Sequence, residues 1–262
     1  MAKIGFIGLG NMGGPMAAHL INAKHQVKGF DVVSGCITRF KEKGGLVAKD
    51  VTDAASDVDI IITMLPAGND VRDVYLGTSG ILQSTNSKPL LIDCSTIDVE
   101  TARKVSNEAE KVDLLMLDAP VSGGVMGAEA ATLTFMVGGP EKAFKTAKPI
   151  LDLMGKNIIH AGGTGNGQVA KVCNNMILGI SMIGVSEAFV LAEKLGLDHQ
   201  KLFDVASTSS GQCWAITSYC PVPGPVPNSP ANKDFKAGFT VDMLSLIHIS
   251  EPTRRYASSY AG

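Results

Sequence analysis

Six residues near the N-terminus, Gly8-Leu9-Gly10-Asn11-Met12-Gly13, constrain this chain more than any other feature. They match G-x-G-x-x-G, follow an apolar run at 3–8 (KIGFIG) and open a helical segment reaching about Lys24. A second strand is expected at 26–31 (QVKGFD), ending on Asp31, 18 residues after Gly13. Strand, glycine turn, helix and a second strand closed by an acid make up the βαβ unit that binds a dinucleotide. Gly8 permits the tight turn, Gly10 lets the backbone approach a pyrophosphate, and Gly13 allows close helix–strand packing. The helix N-terminus then offers N–H groups to the phosphates. Asp31 can accept hydrogen bonds from a ribose 2′-hydroxyl and repels a 2′-phosphate, and Val32 and Val33 supply no arginine to reverse that preference. The expected cofactor is NAD, not NADP, cradled by Gly8, Leu9, Gly10, Asn11, Met12, Gly13 and Asp31.

Apolar runs recur at Val58–Leu65, Leu90–Cys94 and Leu114–Asp118, with helix-like stretches between them. Such alternation indicates an α/β fold, a Rossmann-type doubly wound parallel sheet. Thr132–Val137 and Asn157–His160 are expected to complete the sheet around a helix from Glu141 to Met154. After Gly162 the character changes. Residues 162–167 (GGTGNG) read as a flexible hinge, and Gln168 to about Leu195 as one long helix opening an all-helical domain. The expected organisation is a dinucleotide-binding domain at 1–162 and a helical domain at 163–244. Five prolines in 221–230 (PVPGPVPNSP) leave only an extended loop there.

Of the 262 residues, 45% are apolar and 18% charged, enough for a large core and incompatible with global disorder. A net charge of −2 lacks the basic footprint of a nucleic-acid binder. Cys36, Cys94, Cys173, Cys213 and Cys220 include no C-x-x-C pair, and the five histidines have no metal-ligand spacing, so neither disulfides nor a metal are expected. The first strand begins almost at Met1, where no signal or transit peptide is visible. Met176–Ala192, the longest apolar stretch, is broken by Ser181, Ser186 and Glu187; it reads as a buried helix too short to span a bilayer.

Two further groups carry chemistry. Residues 118–124 (DAPVSGG) end a strand where ligands bind in doubly wound folds, and their serine and glycines could meet a small anion. Lys171 and Asn175 lie four residues apart on one face of an otherwise apolar helix. Such a lysine either snorkels to solvent or is a desolvated amine able to exchange a proton near neutral pH; spacing leaves both open.

The motifs GLGNMG (8–13), MLP (64–66), DCST (93–96), DAPVSGG (118–124) and GNGQVAKVCNN (165–175) occur in an order that resembles the 3-hydroxyisobutyrate dehydrogenases of the β-hydroxyacid dehydrogenase family. The resemblance implies a Rossmann domain followed by a helical domain, with the active site in the cleft between them. It makes Lys171 the catalytic acid/base and Asn175 the residue that orients substrate and lysine. Ser122, Gly123 and Gly124 would hold the substrate carboxylate. Leu65 and Pro66 would line the cofactor cleft, Thr96 would contact the nicotinamide side, and Asp70 stands where many relatives place a cofactor-touching asparagine. The implied reaction is NAD-dependent oxidation of 3-hydroxyisobutyrate to methylmalonate semialdehyde, a step of valine breakdown. A homodimer or homotetramer in the mitochondrial matrix is implied, with a cytoplasmic location as the alternative, and neither nucleic acid nor membrane as partner. Sibling reductases of tartronate or succinic semialdehyde, and a non-catalytic NAD-binding fragment, are the rival readings.

The resemblance stops near Leu244. Family members continue with a Lys-Asp helix whose lysine reaches the cofactor; here no lysine follows Lys236. The string at 244–254 (LSLIHISEPTR) resembles the translation of a sequencing-library adapter, so 245–262 is expected to be a non-native tail on a truncated helical domain.

Overall fold

Ile60, Ile61 and Ile62 are buried in succession, and a strand that is apolar on both faces needs helices on both sides of its sheet. The computed structural model, which describes residues 1–84 and 87–235, has that arrangement in its first compact unit, Met1–Lys171. Its strands are β1 (Lys3–Ile7), β2 (Gln26–Phe30), β3 (Leu46–Val47), β4 (Ile60–Thr63), β5 (Leu90–Asp93), β6 (Met116–Asp118), β7 (Val121–Ser122), β8 (Leu133–Gly138) and β9 (Gly155–Gly162). Between them come helices α1 (Gly13–Asn22), α2 (Ser34–Glu42), α3 (Val51–Ala54), α4 (Gly68–Leu76), α5 (Ile81–Ser84), α6 (Val99–Lys111), α7 (Gly124–Glu129) and α8 (Glu141–Leu151). The strand order is β3-β2-β1-β4-β5-β6-β8-β7, with β9 on β8. Its first six strands are parallel and place the reversal of strand order between β1 and β4. This is a Rossmann-type sheet, and the reversal is where such folds bind ligands.

Side-chain alternation sorts the core into two layers. Ile4, Phe6, Ile60, Ile62 and Ile92 pack with Met16 and Leu20 of α1, Phe40 of α2 and Ala147 of α8. Ile7, Ile61 and Leu91 pack with Val71 and Tyr75 of α4 and Val105 of α6. Each fully buried isoleucine or phenylalanine contributes about 1.5–3 kcal/mol relative to exposure, so no single helix carries the fold.

The expected doubly wound parallel sheet is present, with a correction at one edge. Strand β8 runs antiparallel to β6 and β7, because only Ala119–Pro120 and the short α7 intervene and no long crossover helix returns the chain to its starting end. The crossover through α8 restores parallel pairing between β8 and β9. The expected flexible hinge at 162–167 is corrected as well. Gly165 donates its N–H to Asp118 Oδ1 at 2.7 Å, and a Cβ on Gly167 would collide with the backbone of Met136 and Asp118. Gly167 is required by tight packing, and Gly162 and Gly165 by their positive φ of +104° and +83°.

Helix α9 (Asn166–Lys194) begins in the first unit, and the second unit starts at Val172 within it. In that second unit α9 is followed by α10 (His199–Ala206), α11 (Trp214–Thr217) and the proline loop, which ends in a 3-10 turn at Pro230–Asn232. Val185 and Phe189 of α9 pack on Ala215, Ile216 and Cys220. The long helix expected from Gln168 to about Leu195 is present as α9, but its apolar stretch, expected to be buried and too short to span a bilayer, is corrected: α9 has 29 residues, and one face is open, with Ile177, Ile180 and Ile183 exposed by 68%, 65% and 68%. It is the one helix among the described residues long and apolar enough to cross a bilayer, and Val185 and Phe189 on it pack against α11. The tail expected to be non-native lies outside the described residues.

Candidate active site

The C-terminal ends of β2, β1, β4 and β5 stand side by side and deliver the expected cofactor residues in that order. Gly8 adopts φ +92° immediately after β1, and its N–H donates to Phe30 O at 2.9 Å. A side chain there would strike the Met64 carbonyl, and one on Gly13 would strike the Gly8 carbonyl. Gly10 differs: a Cβ on it would meet nothing. Two glycines of the fingerprint are therefore required by packing, while the middle one fronts open space where a phosphate can approach. Helix α1 starts without a side-chain cap, which suits an anion at its N-terminus. Leu9, Asn11 and Met12 fill the rest of the turn.

Asp31, just past β2, binds back onto that turn. One carboxylate oxygen accepts the Leu9 N–H at 2.6 Å and the other the Val33 N–H at 2.7 Å. An ionised carboxyl has about four acceptor sites, so lone pairs remain for a diol. The turn with its open glycine and the fixed acid fit an adenine dinucleotide.

Leu65 follows β4, held by its N–H to Ser95 Oγ at 2.9 Å, and Pro66 beside it is exposed. Asp70 lies in the first turn of α4 and is exposed. Thr96 is half-buried just beyond β5. Beneath these loops runs a buried chain of polar groups. Thr63 Oγ1 donates to Asp93 Oδ1 at 2.7 Å and lies 3.0 Å from the Tyr75 hydroxyl; Ser95 Oγ donates to the same Asp93 oxygen at 2.6 Å. Burial pushes the Asp93 carboxyl up to about 6, against the pull of the Ser95 and Thr63 hydrogen bonds.

At the end of β6, Asp118 is committed to structure. Its two oxygens accept the N–H groups of Gly165 (2.7 Å) and Gln168 (2.9 Å), closing the N-terminus of α9 as a side-chain cap supplied from another strand. Burial raises its pKa, and those two N–H groups oppose the rise. Ser122 ends β7 in register with Thr134, and Gly123 and Gly124 follow at φ +131° and +62°, both exposed. On α9, one turn after the cap, burial draws the Lys171 amine down to about 8. Lys171 is half-buried, and of the two readings left open for it, desolvated amine and solvent-snorkelling side chain, the downward shift favours the first. Asn175, one turn further and already in the second unit, is also buried.

Sequence reasoning assigned no role to Asp93, Ser95, Thr63 or Gln168. Their partners are set by pairings between distant strands and helices, which leave no local pattern. The only available signal was that Asp93, Ser95 and Gln168 are polar residues inside the quoted motifs.

A dinucleotide cradle at the switch point, with a desolvated amine on the helix after the sheet, defines an NAD(P)-binding dehydrogenase. Residues 3–163 match the NAD-binding domain of 6-phosphogluconate dehydrogenase, and 165–245 match the NAD-binding domain of NADP-dependent 3-hydroxyisobutyrate dehydrogenase. The chain is 50% identical over 245 residues to 3-hydroxyisobutyrate dehydrogenase of Pseudomonas aeruginosa, covering 94% of this chain and 82% of that one. It is 44% identical over 242 residues to the mitochondrial 3-hydroxyisobutyrate dehydrogenase of Rattus norvegicus, covering 92% and 72%. The structure of Mycobacterium tuberculosis 3-hydroxyisobutyrate dehydrogenase with L-serine superposes with a TM-score of 0.89 at 47% identity, covering 100% of this chain and 88% of that one. The chain belongs to the 3-hydroxyisobutyrate dehydrogenase family.

Proposed function

We propose that the chain oxidises 3-hydroxyisobutyrate to methylmalonate semialdehyde with NAD, in valine breakdown, and that Lys171 takes the hydroxyl proton. The observation that carries this reading is the lysine itself: burial brings its amine to about 8, within reach of general-base work near neutral pH. Gly8–Gly13 would hold the pyrophosphate and Asp31 the ribose diol; Leu65 and Pro66 would line the cofactor cleft, Thr96 would contact the nicotinamide side, and Asp70 stands where many relatives place a cofactor-touching asparagine. Bound there, nicotinamide supplies the hydride acceptor. Lys171, as the free amine, accepts the proton as the hydroxyl-bearing carbon is oxidised. Asn175 orients the hydroxyl, and Ser122, Gly123 and Gly124 fix the carboxylate at the other end of the substrate. Asp31 supports NAD over NADP, because both its oxygens already face N–H donors and a 2′-phosphate would meet an ionised acid.

Lys171→Ala tests the assignment. Turnover should fall roughly 10²–10⁴-fold while NAD still binds by fluorescence titration; near wild-type turnover would overturn it. L-serine is a second substrate reading, favoured by the mycobacterial relative solved with it. Comparing kcat/KM for the two hydroxy acids decides between them, and NAD binding with no turnover of either would mark a non-catalytic fragment. In this reading the protein works in the mitochondrial matrix, as the rat relative's name supports. Recovery of the native protein in the cytosolic fraction would count against that location.

A further inference from the structure

Gln168 is fully buried, with 0% of its surface exposed, in the first turn of α9. A buried primary amide must find partners for both its donor and its acceptor, or its desolvation goes uncompensated. Gln168 finds them on one short segment: its Nε2 donates to the Ser95 carbonyl at 2.8 Å, and its Oε1 accepts the Ile97 N–H at 3.2 Å. Those two groups belong to the peptide units on either side of Thr96. One side chain thus grips the backbone around Thr96 much as a neighbouring strand would, and no other side chain among the described residues bonds to both.

The grip is stiff at both ends. On the helix side, the Gln168 N–H is fixed by Asp118 Oδ2 at 2.9 Å. On the loop side, Ser95 donates to Asp93 Oδ1 at 2.6 Å and accepts the Leu65 N–H at 2.9 Å, so the loops after β4 and β5 are tied to each other. Lys171 is three residues beyond Gln168 on the same helix, a rise of about 4.5 Å. The loop carrying Thr96 and the helix carrying Lys171 are therefore joined by this glutamine.

We propose that Gln168 is the positioning residue that holds Thr96, and with it the reacting face of the cofactor, at a fixed separation from the Lys171 amine. The proposal rests on the reading of Lys171 as acid/base and Thr96 as a nicotinamide contact, and it assigns Gln168 no contact with substrate or cofactor. Small losses of alignment between reacting groups are expensive, about 10²-fold for a displacement near 1 Å.

Gln168→Met, which keeps the length and removes both hydrogen bonds, tests it in the full chain. Turnover per NAD-binding site should fall roughly 10–100-fold, with KM for NAD and for the hydroxy acid within about threefold of the original. The primary deuterium isotope effect, with substrate labelled at the hydroxyl-bearing carbon, should rise as hydride transfer becomes rate-limiting. A residue that merely stabilises the fold would lower Tm and the fraction of binding-competent protein, yet leave turnover per site and the isotope effect unchanged; that result overturns the proposal. If Gln168→Met does not fold, Gln168→Glu, which retains the acceptor for the Ile97 N–H, is read by the same two outcomes. Lys171→Met run in parallel separates the layers. An active Lys171→Met chain removes the acid/base reading and this proposal with it. An inactive one beside a Gln168→Met chain of unchanged turnover removes the proposal alone.

Discussion

A lysine amine at its ordinary pKa is almost wholly protonated at pH 7, and burial changes that for Lys171. With the amine near 8, about a tenth is free base at pH 7 and most of it above pH 9. The lowered value reflects a charged form that folding penalises, so the base gains population as pH rises through about 8. We expect log kcat/KM for oxidation to climb by about one unit per pH unit below that point and to level above it. A flat profile from pH 6 to 9 would disconnect this amine from the reaction. Asp31 makes the second residue-scale prediction. Asp31→Asn with Val32→Arg removes the charge facing a 2′-phosphate and adds a partner for it. The ratio of kcat/KM for NAD over NADP should drop by at least about tenfold, a change of roughly 1.4 kcal/mol. An unchanged ratio would mean that the cofactor's ribose lies elsewhere.

Among the elements, α9 depends most on a group outside itself. Gly165 and Gln168 present their N–H groups at its start, and no local Ser, Thr or Asp takes them; Asp118, 47 and 50 residues earlier, accepts both. Asp118→Asn keeps one acceptor and turns an amide NH₂ toward the other donor, leaving a buried N–H unpaired at a cost of about 1–3 kcal/mol. Tm should fall on the order of 5 °C, and turnover should fall with it, because Lys171 lies one turn beyond the cap. Thermal melts and steady-state rates on the same preparation check both, and an unaltered Tm would show that the helix start is held by something else. This cap was illegible in the sequence for the same reason as the Gln168 bridge. The strands β1, β4 and β5 could be read from runs such as KIGFIG and DIIITML because burial on both faces writes a continuous apolar signal. The two-residue strands β3 and β7 leave no such signal, since each exists only because a longer neighbour offers an open edge. The fingerprint glycines and Asp31 were legible because the turn, its helix and the acid lie within one βαβ unit, although the carbonyl that excludes a side chain at Gly8 comes from Met64, after β4.

At the scale of the whole molecule, the two units differ in how completely they bury their apolar surface. The first has two packed layers, one on each face of its sheet. In the second, a small cluster around Val185 and Phe189 leaves Ile177, Ile180 and Ile183, spaced three and six residues apart, as an open stripe along α9. Contiguous apolar surface of that kind draws molecules together. The molar mass read from light scattering should rise with concentration, and the double substitution Ile180→Lys with Ile183→Glu should suppress that rise. Both positions are exposed, and surface substitutions of this sort usually change stability by no more than about 0.5 kcal/mol. NAD affinity, which the proposed reading assigns to Gly8–Gly13 and Asp31 in the first unit, should be unchanged in the same variant. Scattering that persists undiminished would place the attraction on a surface other than this stripe, and a weakened NAD affinity would mean the two units are energetically linked along α9.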